Sequence, residues 1–288
     1  MGAITVYYAE QQDRQSCFNV QSYILNMIPQ DLQGKLRARI IDMNYKAKSG
    51  HIGSALSCLD ILITYFYNRQ PGDSLILSKG HATSAIYAVL NELGEISNEV
   101  METFYKNASV MTGHPAPLKF PSIPFATGSL GHGFPLAAGI AKAKKIKKEG
   151  GTSYVLMSDG ETNEGTTWEA MHFAIQNKLD NLVAIIDKNR WQGFGNISDV
   201  LGDTSSPVVW KTIGFEVSEV QGHDLVAIKN EFAIANQHKN GIPKVIIANT
   251  IKGKGVDFME DTLDWHYLSM NEAQYRAAQA SVAANYGL

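Results

Sequence analysis

Three short apolar runs in the second half of the chain alternate with helical patterns, and this alternation constrains the fold more than any other feature. The runs lie at 154–157, 182–186 and 244–248, and helical periodicity occupies 163–178 and 224–239 between them. Continuous apolar strands separated by helices are typical of a parallel sheet covered on both faces. The pattern therefore predicts an α/β fold with a central parallel sheet and helices on both sides.

The first half of the chain adds helices and one long loop. Apolar residues recur at near-helical spacing over 31–48, and 55–67 is apolar enough for a buried helix. A short strand is expected at 74–78, followed by a helix that ends near residue 93. Residues 106–133 are rich in Gly, Pro, Ser and Thr, and a loop of that length in a compact domain is usually functional. We expect an N-terminal arm at 1–29 and one domain at 30–288.

Composition excludes several classes of protein. Hydrophobic residues make up 44% of the 288 residues, which is too many for a disordered chain. The formal net charge of −3 gives no indication of a nucleic-acid partner or an anionic membrane surface. The cysteines, Cys17 and Cys58, match no metal-binding or redox spacing. With no signal peptide and no long apolar run in the sequence, we expect a cytoplasmic protein.

Polar side chains follow two of the apolar strands, where each strand ends. Asp159 and Gly160 come after the first strand, and Asn189 comes after the second. The carboxyl ends of parallel strands share one edge of a sheet, and acid and amide oxygens there suit a hard cation such as Mg²⁺, Ca²⁺ or Mn²⁺. The helix that begins after Gly160 offers backbone N–H groups to an anion. Asp and Asn are also ordinary helix caps and turn formers, so the two loops alone leave both interpretations open.

The spacing of these residues carries more information. Asp159 and Asn189 are 30 positions apart, with a helix and a strand between them. This spacing resembles the thiamine diphosphate fingerprint, a Gly-Asp-Gly followed about thirty residues later by Asn. Ser158 replaces the first glycine here, while the metal-binding acid and Gly160 are kept.

Histidines in glycine-rich or polar loops form a second group of candidates. A single loop histidine is usually only solvated, but glycine lets a backbone approach a ligand, and histidine transfers protons near neutral pH. The five histidines of this kind are His51, His81, His114, His132 and His266.

Taken in order, these motifs resemble the N-terminal half of transketolase. SGHIG at 49–53 resembles the family's SGHxG, KGHA at 79–82 contains its GHA, and GHP at 113–115 is shared. TGSLGHG at 127–133 is similar to TGxLGxG, and IKGKGVDFMED at 251–261 followed by Trp265-His266 matches the family's stretch before the last histidine of that half. The resemblance extends from about residue 30 to 280, and it implies the thiamine diphosphate-binding fold.

The resemblance also implies roles for individual residues. Asp159 and Asn189 would bind the divalent cation through side chains, and Trp191 through its backbone carbonyl. His51, His114 and His266 would line the channel where sugar hydroxyls meet the reacting carbon, and they are the expected catalytic residues. The residues expected to contact thiamine diphosphate are His81, Gly128, Leu130, Asp159, Gly160, Glu164, Asp187, Asn189 and His266. Two further departures are His132, where many relatives have glutamine, and Tyr267, where many have glycine.

A transketolase transfers a two-carbon ketol unit from a ketose, often phosphorylated, to an aldose. Members of the family continue into a pyrimidine-binding domain that carries the glutamate activating the cofactor, whereas this sequence ends at Leu288. The resemblance therefore implies the N-terminal subunit of a split transketolase, active only with a C-terminal subunit, in an assembly of two copies of each chain.

Two alternatives stay open at this point. Another thiamine diphosphate enzyme of related fold, such as a deoxyxylulose-phosphate synthase or a ketoacid dehydrogenase subunit, is disfavoured by the ordered histidines and by KGKG preceding WH. A non-catalytic paralogue that only binds a partner is disfavoured because Asp159, Asn189 and the histidines are all present.

Overall fold

The computed structural model describes residues 28–116, 120–237 and 239–288, so almost all of the expected arm at 1–29 lies outside the described residues. The strands are β1 (Ser74–Leu77), β2 (Ser153–Ser158), β3 (Leu182–Lys188), β4 (Trp191–Gln192), β5 (Gly195–Asn196), β6 (Glu216–Gln221) and β7 (Lys244–Asn249). The α-helices are α1 (Leu32–Ala47), α2 (Ile52–Asn68), α3 (Thr83–Glu92), α4 (Asn98–Met101), α5 (Gly133–Lys147), α6 (Gly165–Gln176), α7 (Ile197–Val200), α8 (Pro207–Ile213), α9 (Leu225–Gln237) and α10 (Glu272–Tyr286).

Five of the strands form one parallel sheet in the order β1-β2-β3-β7-β6. The three apolar runs become β2, β3 and β7, which lie side by side in the centre and are almost fully buried. The predicted α/β fold with a central parallel sheet is confirmed. Strand β6 at the edge was not predicted, because its sequence EVSEVQ is mostly polar and partly exposed.

Helices cover both faces of this sheet, since successive residues of each central strand point to opposite sides. Leu156, Ile185 and Ile246 face a large cluster that contains the buried side chains of α1, α2, α3, α9 and α10. Val155 and Ile247 face a second cluster, which includes buried residues of α5, α6 and α8. A two-sided core of this kind explains why the central strands read as continuous apolar runs.

Helix α2 lies within the larger cluster and is buried along nearly its whole length. Its apolar sequence reflects this position in the core rather than contact with lipid. In the part of the chain that the structure describes, no helix is long and apolar enough to cross a membrane.

Candidate active site

Four loops meet at the carboxyl edge of the sheet. Strand β1 leads into a 3₁₀ turn at Gly80–Ala82, and β2 leads into another at Asp159–Asn163. Strand β3 is followed directly by Asn189, and β7 is followed by residues 250–255. Parallel strands place all of these loops on the same side, which is where ligands bind in open α/β sheets.

Asp159 lies at this edge with its side chain fully buried. One carboxylate oxygen accepts a hydrogen bond from the Gly160 N–H at 2.8 Å, and the other accepts one from the Arg190 N–H at 2.6 Å. Burial, and then the nearby charge of Asp187, raise the pKa of Asp159 to about 7. A cation at this place would relieve both effects, because it stabilises the ionised carboxylate.

Ser158, the departure from Gly-Asp-Gly, fits without strain. Its backbone is extended, with φ −84° and ψ 159°, a conformation that any residue adopts. Its N–H donates to Glu161 Oε2 at 2.8 Å, and together the two residues form a capping box for the turn that carries Asp159. The serine therefore supports the acid-bearing turn.

Asn189 is buried beside a second carboxylate. Its amide nitrogen donates to Asp187 Oδ2 at 3.3 Å and to Ser57 Oγ at 3.2 Å, and its Oδ1 accepts from the Trp191 N–H at 3.0 Å. Asp187 in turn accepts hydrogen bonds from Ser57 at 2.6 Å and from Lys79. The orientation of the Asn189 amide is thus fixed by a buried network.

Lys79 is the cation of that network. Its side chain is fully buried and forms an ion pair with Asp187, and its ammonium also donates to the Ser54 carbonyl at 3.1 Å. Burial, the largest single influence, would lower the pKa of Lys79, but the charge and hydrogen bond of Asp187, together with Cys58 and Asp159, raise it. The sequence motif KGHA contained this lysine, yet we assigned it no role from the sequence.

Glu161 joins three of the sequence motifs. Its Oε1 accepts hydrogen bonds from Ser78 Oγ at 2.5 Å and from the Gly131 N–H at 2.9 Å. Gly80 allows a further close contact, since a Cβ there would lie 2.8 Å from the carbonyl of Thr127. The loop after β1, the turn after β2 and the TGSLGHG segment are therefore held together.

Four of the five loop histidines come together above this edge. The ring centroid of His51 lies 5.5 Å from that of His81, 6.4 Å from that of His114 and 5.1 Å from that of His266. His51 has a φ of +65°, unusual for a residue with a side chain, and its N–H donates to the His266 carbonyl at 3.0 Å. His51, His81, His114 and His266 are called the histidine cluster below.

Lys252 lies beside this cluster and sets the tautomer of one member. Its Nζ is 2.9 Å from His266 Nδ1. A charged ammonium only donates, so Nδ1 accepts and Nε2 carries the ring proton. Burial, and then the charge of Lys252, lower the pKa of His266 to about 3. Burial is also the main cause that lowers the pKa values of His51 and His81, so these three imidazoles are neutral at pH 7.

A buried ion pair supports the loop that carries Lys252. His223 accepts a hydrogen bond from the Ile251 N–H at 2.9 Å through Nε2, so its Nδ1–H donates to Asp60 Oδ2 at 2.7 Å. Arg37 donates to both oxygens of Asp60, at 2.9 and 2.6 Å, and its Nε donates to the Lys254 carbonyl at 3.0 Å. The 251–255 loop is fixed from both sides. Sequence reasoning assigned no role to these residues.

The remaining predicted residues lie on the TGSLGHG loop or next to it. Gly128 packs against the cluster, because a Cβ on Gly128 would be 3.0 Å from His114 Cδ2. His132 is exposed and does not join the cluster; its Nδ1 lies 3.1 Å from the Leu130 carbonyl. Glu164 is exposed near Gly131. Their contacts with a ligand stay predictions.

An open groove of about 1090 Å³ adjoins this loop. His114, Gly128 and His132 lie on its wall, and the rest of the lining includes the apolar side chains of Phe125, Pro135, Leu136 and Ile140. The groove therefore reaches one member of the histidine cluster, His114, along a wide and largely apolar surface.

The donor set at the edge fits a diphosphate bound through a divalent cation. Asp159, Asn189 and the Trp191 backbone carbonyl provide oxygen donors, which Mg²⁺ prefers. Burial, and then the charge of Lys79, lower the pKa of Lys252 to about 8. An anion at this place would offset that repulsion.

Comparison with known proteins identifies the family to which this chain is similar. Residues 28–286 match the family described as "Transketolase, thiamine diphosphate binding domain". A protein from Phocaeicola vulgatus, named as one subunit of an apulose-4-phosphate transketolase, is 38% identical over 259 residues, which are 86% of this chain and 92% of that protein. A 6-deoxy-6-sulfo-D-fructose transketolase subunit from a Clostridium species is 33% identical over 243 residues, covering 81% of this chain and 88% of that one.

The solved structures show the same fold within longer chains. The crystal structure of transketolase from Campylobacter jejuni superposes with a TM-score of 0.80 at 30% identity. The match covers 91% of this chain but 43% of the Campylobacter chain. The present chain therefore spans less than half of that protein and most of the two relatives named as subunits.

Proposed function

The chain belongs to the transketolase family, and we propose that it is the diphosphate-binding subunit of a transketolase that becomes active when a second polypeptide supplies the pyrimidine-binding domain. The observation that carries the proposal is the histidine cluster lying above the edge that holds Asp159 and Asn189. A neutral, proton-transferring group beside a diphosphate and metal site is what ketol transfer requires of this half of the enzyme.

We propose that Asp159, Asn189 and the Trp191 carbonyl hold Mg²⁺, or Ca²⁺ or Mn²⁺ in its place. The Gly160 N–H, His81 and His266 contact the diphosphate in this proposal, and backbone groups of Gly128 and Leu130 face the aminopyrimidine. Asp187 lies close to the thiazolium, and the exposed Glu164 joins the contact with the partner subunit. The buried ion pair of Asp187 with Lys79 supports this proposal, because it fixes the site before ligands bind.

When bound, thiamine diphosphate supplies the carbanion-stabilising chemistry that breaks and forms a carbon–carbon bond next to a carbonyl. This chain's residues orient the sugar and move protons. His266 presents its Nε2–H as a donor because Lys252 occupies Nδ1. His114, on the wall of the open groove, and His51, whose ring centroid lies 6.4 Å from that of His114, are proposed to bind the sugar hydroxyls and to accept or return a proton there.

The substrates are proposed to be sugars that carry an anionic group. The names of the two relatives above refer to a 4-phosphate and to a 6-sulfo sugar. The residues that bind such a group belong, in this proposal, to the partner subunit, which covers the open groove. We propose an assembly of two copies of each subunit in the cytoplasm.

Reconstitution tests the proposed function. The purified chain, with Mg²⁺ and thiamine diphosphate, is assayed for ketol transfer before and after a pyrimidine-domain subunit is added. We expect no turnover from the chain alone and clear turnover from the complex, and a complex carrying Asp159→Ala serves as the inactive control. Substantial turnover by the chain alone contradicts the need for a partner, and an inactive wild-type complex contradicts the proposed reaction.

A further inference from the structure

Tyr267 lies at the entrance to the histidine cluster, directly after the 3₁₀ turn that carries His266. Its ring centroid is 4.7 Å from that of His266 and 6.2 Å from that of His51. Its backbone packs closely on the SGHIG loop, since a Cβ on Gly50 would lie 2.7 Å from the Tyr267 carbonyl oxygen. The ring therefore starts at one wall of the site and lies beside two of the proposed catalytic imidazoles.

The other end of the side chain reaches the opposite wall. Gly193 lies in the turn between β4 and β5, which follows the proposed metal-binding residues, and a Cβ on Gly193 would overlap the Tyr267 hydroxyl. The same position would be 3.4 Å from His266 Nε2. The phenol thus occupies the space next to the ring N–H that His266 presents.

Holding the fold does not account for this ring. The neighbouring Trp265 already anchors the turn, because its ring is buried and its Nε1 donates to the Phe258 carbonyl at 3.2 Å. Tyr267, by contrast, is 59% exposed, so removing its ring opens space at the site without opening a cavity in the core.

We propose that Tyr267 determines substrate specificity: its side chain, extending from a backbone packed beside Gly50 to a hydroxyl at Gly193, limits the size of the sugar that can reach His51 and His266. The inference rests on the proposed function, and it assigns the selection by size to the chain described here. Any sugar bound at His266 Nε2 must share its space with the phenol, so shorter sugars are favoured over longer ones.

The experiment uses the reconstituted complex and a series of side chains at one position. Tyr267→Phe, Tyr267→Leu and Tyr267→Ala are compared by their kcat/KM ratio for phosphorylated aldoses of five and three carbons, with one common ketose donor. Both acceptors carry the same anionic group, so the ratio reports size. We expect Ala to raise the ratio in favour of the longer aldose by about tenfold or more, Leu to give an intermediate value, and Phe to keep the ratio of the wild type.

Leu268→Ala is the matched control, because Leu268 is the next residue and is similarly exposed, at 50%. It should keep the ratio of the wild type, and all variants should keep the wild-type affinity for thiamine diphosphate. An active complex whose ratio does not change along the series overturns the role of Tyr267 alone. A wild-type complex without ketol transfer overturns the proposed function, and the inference with it.

Discussion

Replacing Asp60 tests the buried support of the 251–255 loop. Asp60 is fully buried and accepts hydrogen bonds from Arg37, from His223 and from Gln33 Nε2 at 2.9 Å. Burial alone would raise the pKa of Asp60, but the guanidinium of Arg37, and then His223, hold the pKa of that carboxyl below its usual range. The carboxylate is therefore ionised and fully paired.

Asp60→Ala leaves the Arg37 guanidinium buried without a counter-charge. Breaking a buried pair in this way costs about 3–5 kcal/mol of the free energy of unfolding. A domain has only about 5–15 kcal/mol in total, so the variant loses a large share of its stability. With an m-value of about 3 kcal/mol per M in urea, the unfolding midpoint falls by about 1 M or more.

Urea unfolding followed by circular dichroism measures the change, with Asp31→Ala as the control. Asp31 forms an exposed ion pair with Lys35, which solvent screens, so its loss should leave the unfolding midpoint nearly unchanged. In an Arg37→Met background, Asp60→Ala should lower the free energy of unfolding much less than in the wild type, since the buried guanidinium that would lose its partner is already gone. Equal midpoints for Asp60→Ala and the control would refute the reasoning.

The pH dependence follows from the direction of the shift. The pKa of Asp60 is lower in the folded chain than in the unfolded one, so its stabilising effect is complete above the unfolded pKa of about 4 and is lost as the pH falls below it. The stability difference between wild type and Asp60→Ala should therefore be constant near pH 7 and should shrink below about pH 4.

Three further variants address the site itself. Asp159→Ala should abolish retention of thiamine diphosphate by the assembled enzyme, measured by calorimetry, because the proposed Mg²⁺ site loses its carboxylate ligand; unchanged affinity contradicts the metal assignment. His51→Ala and His114→Ala should each lower turnover by about 100- to 10,000-fold while cofactor affinity stays nearly the same. A fully active variant would show that the histidine it removes has no catalytic role. Lys252→Met should raise the pKa of His266 from about 3, which an NMR titration of the ring protons follows; an unchanged titration rules out the contact.

Periodicity predicted those elements whose sequence reflects burial. Strands β2, β3 and β7 lie in the centre of the sheet, and α2 lies inside the larger cluster, so their residues are apolar along nearly the whole length. Strand β6 carries mostly polar residues at the edge of the sheet, and β4 and β5, of two residues each, form a separate two-stranded sheet that is defined by backbone pairing. A hydrophobic pattern contains no signal for them.

The sequence motifs predicted which loops form the site but not how its charges are arranged. Topology brings four of the five histidines together. The fifth, His132, is exposed on the TGSLGHG loop and does not join the cluster. The burial of Lys79 and Lys252 could not be predicted, because a lysine in a loop motif is usually solvated. Their burial depends on Asp187 and His266, which are distant in the sequence.

The position of the Lys79–Asp187 pair has a consequence for ligand binding. A buried ion pair adds little net stability on its own, because desolvation offsets the attraction. This pair joins the loop after β1 to the end of β3, and Ser57 of α2 and Thr250 after β7 donate to the same carboxylate. Asn189 donates to that carboxylate as well, so its amide is oriented by a group that is not itself a proposed metal ligand. We therefore expect the affinity of the proposed metal and diphosphate site to depend on this buried network as well as on the residues proposed to contact the ligands.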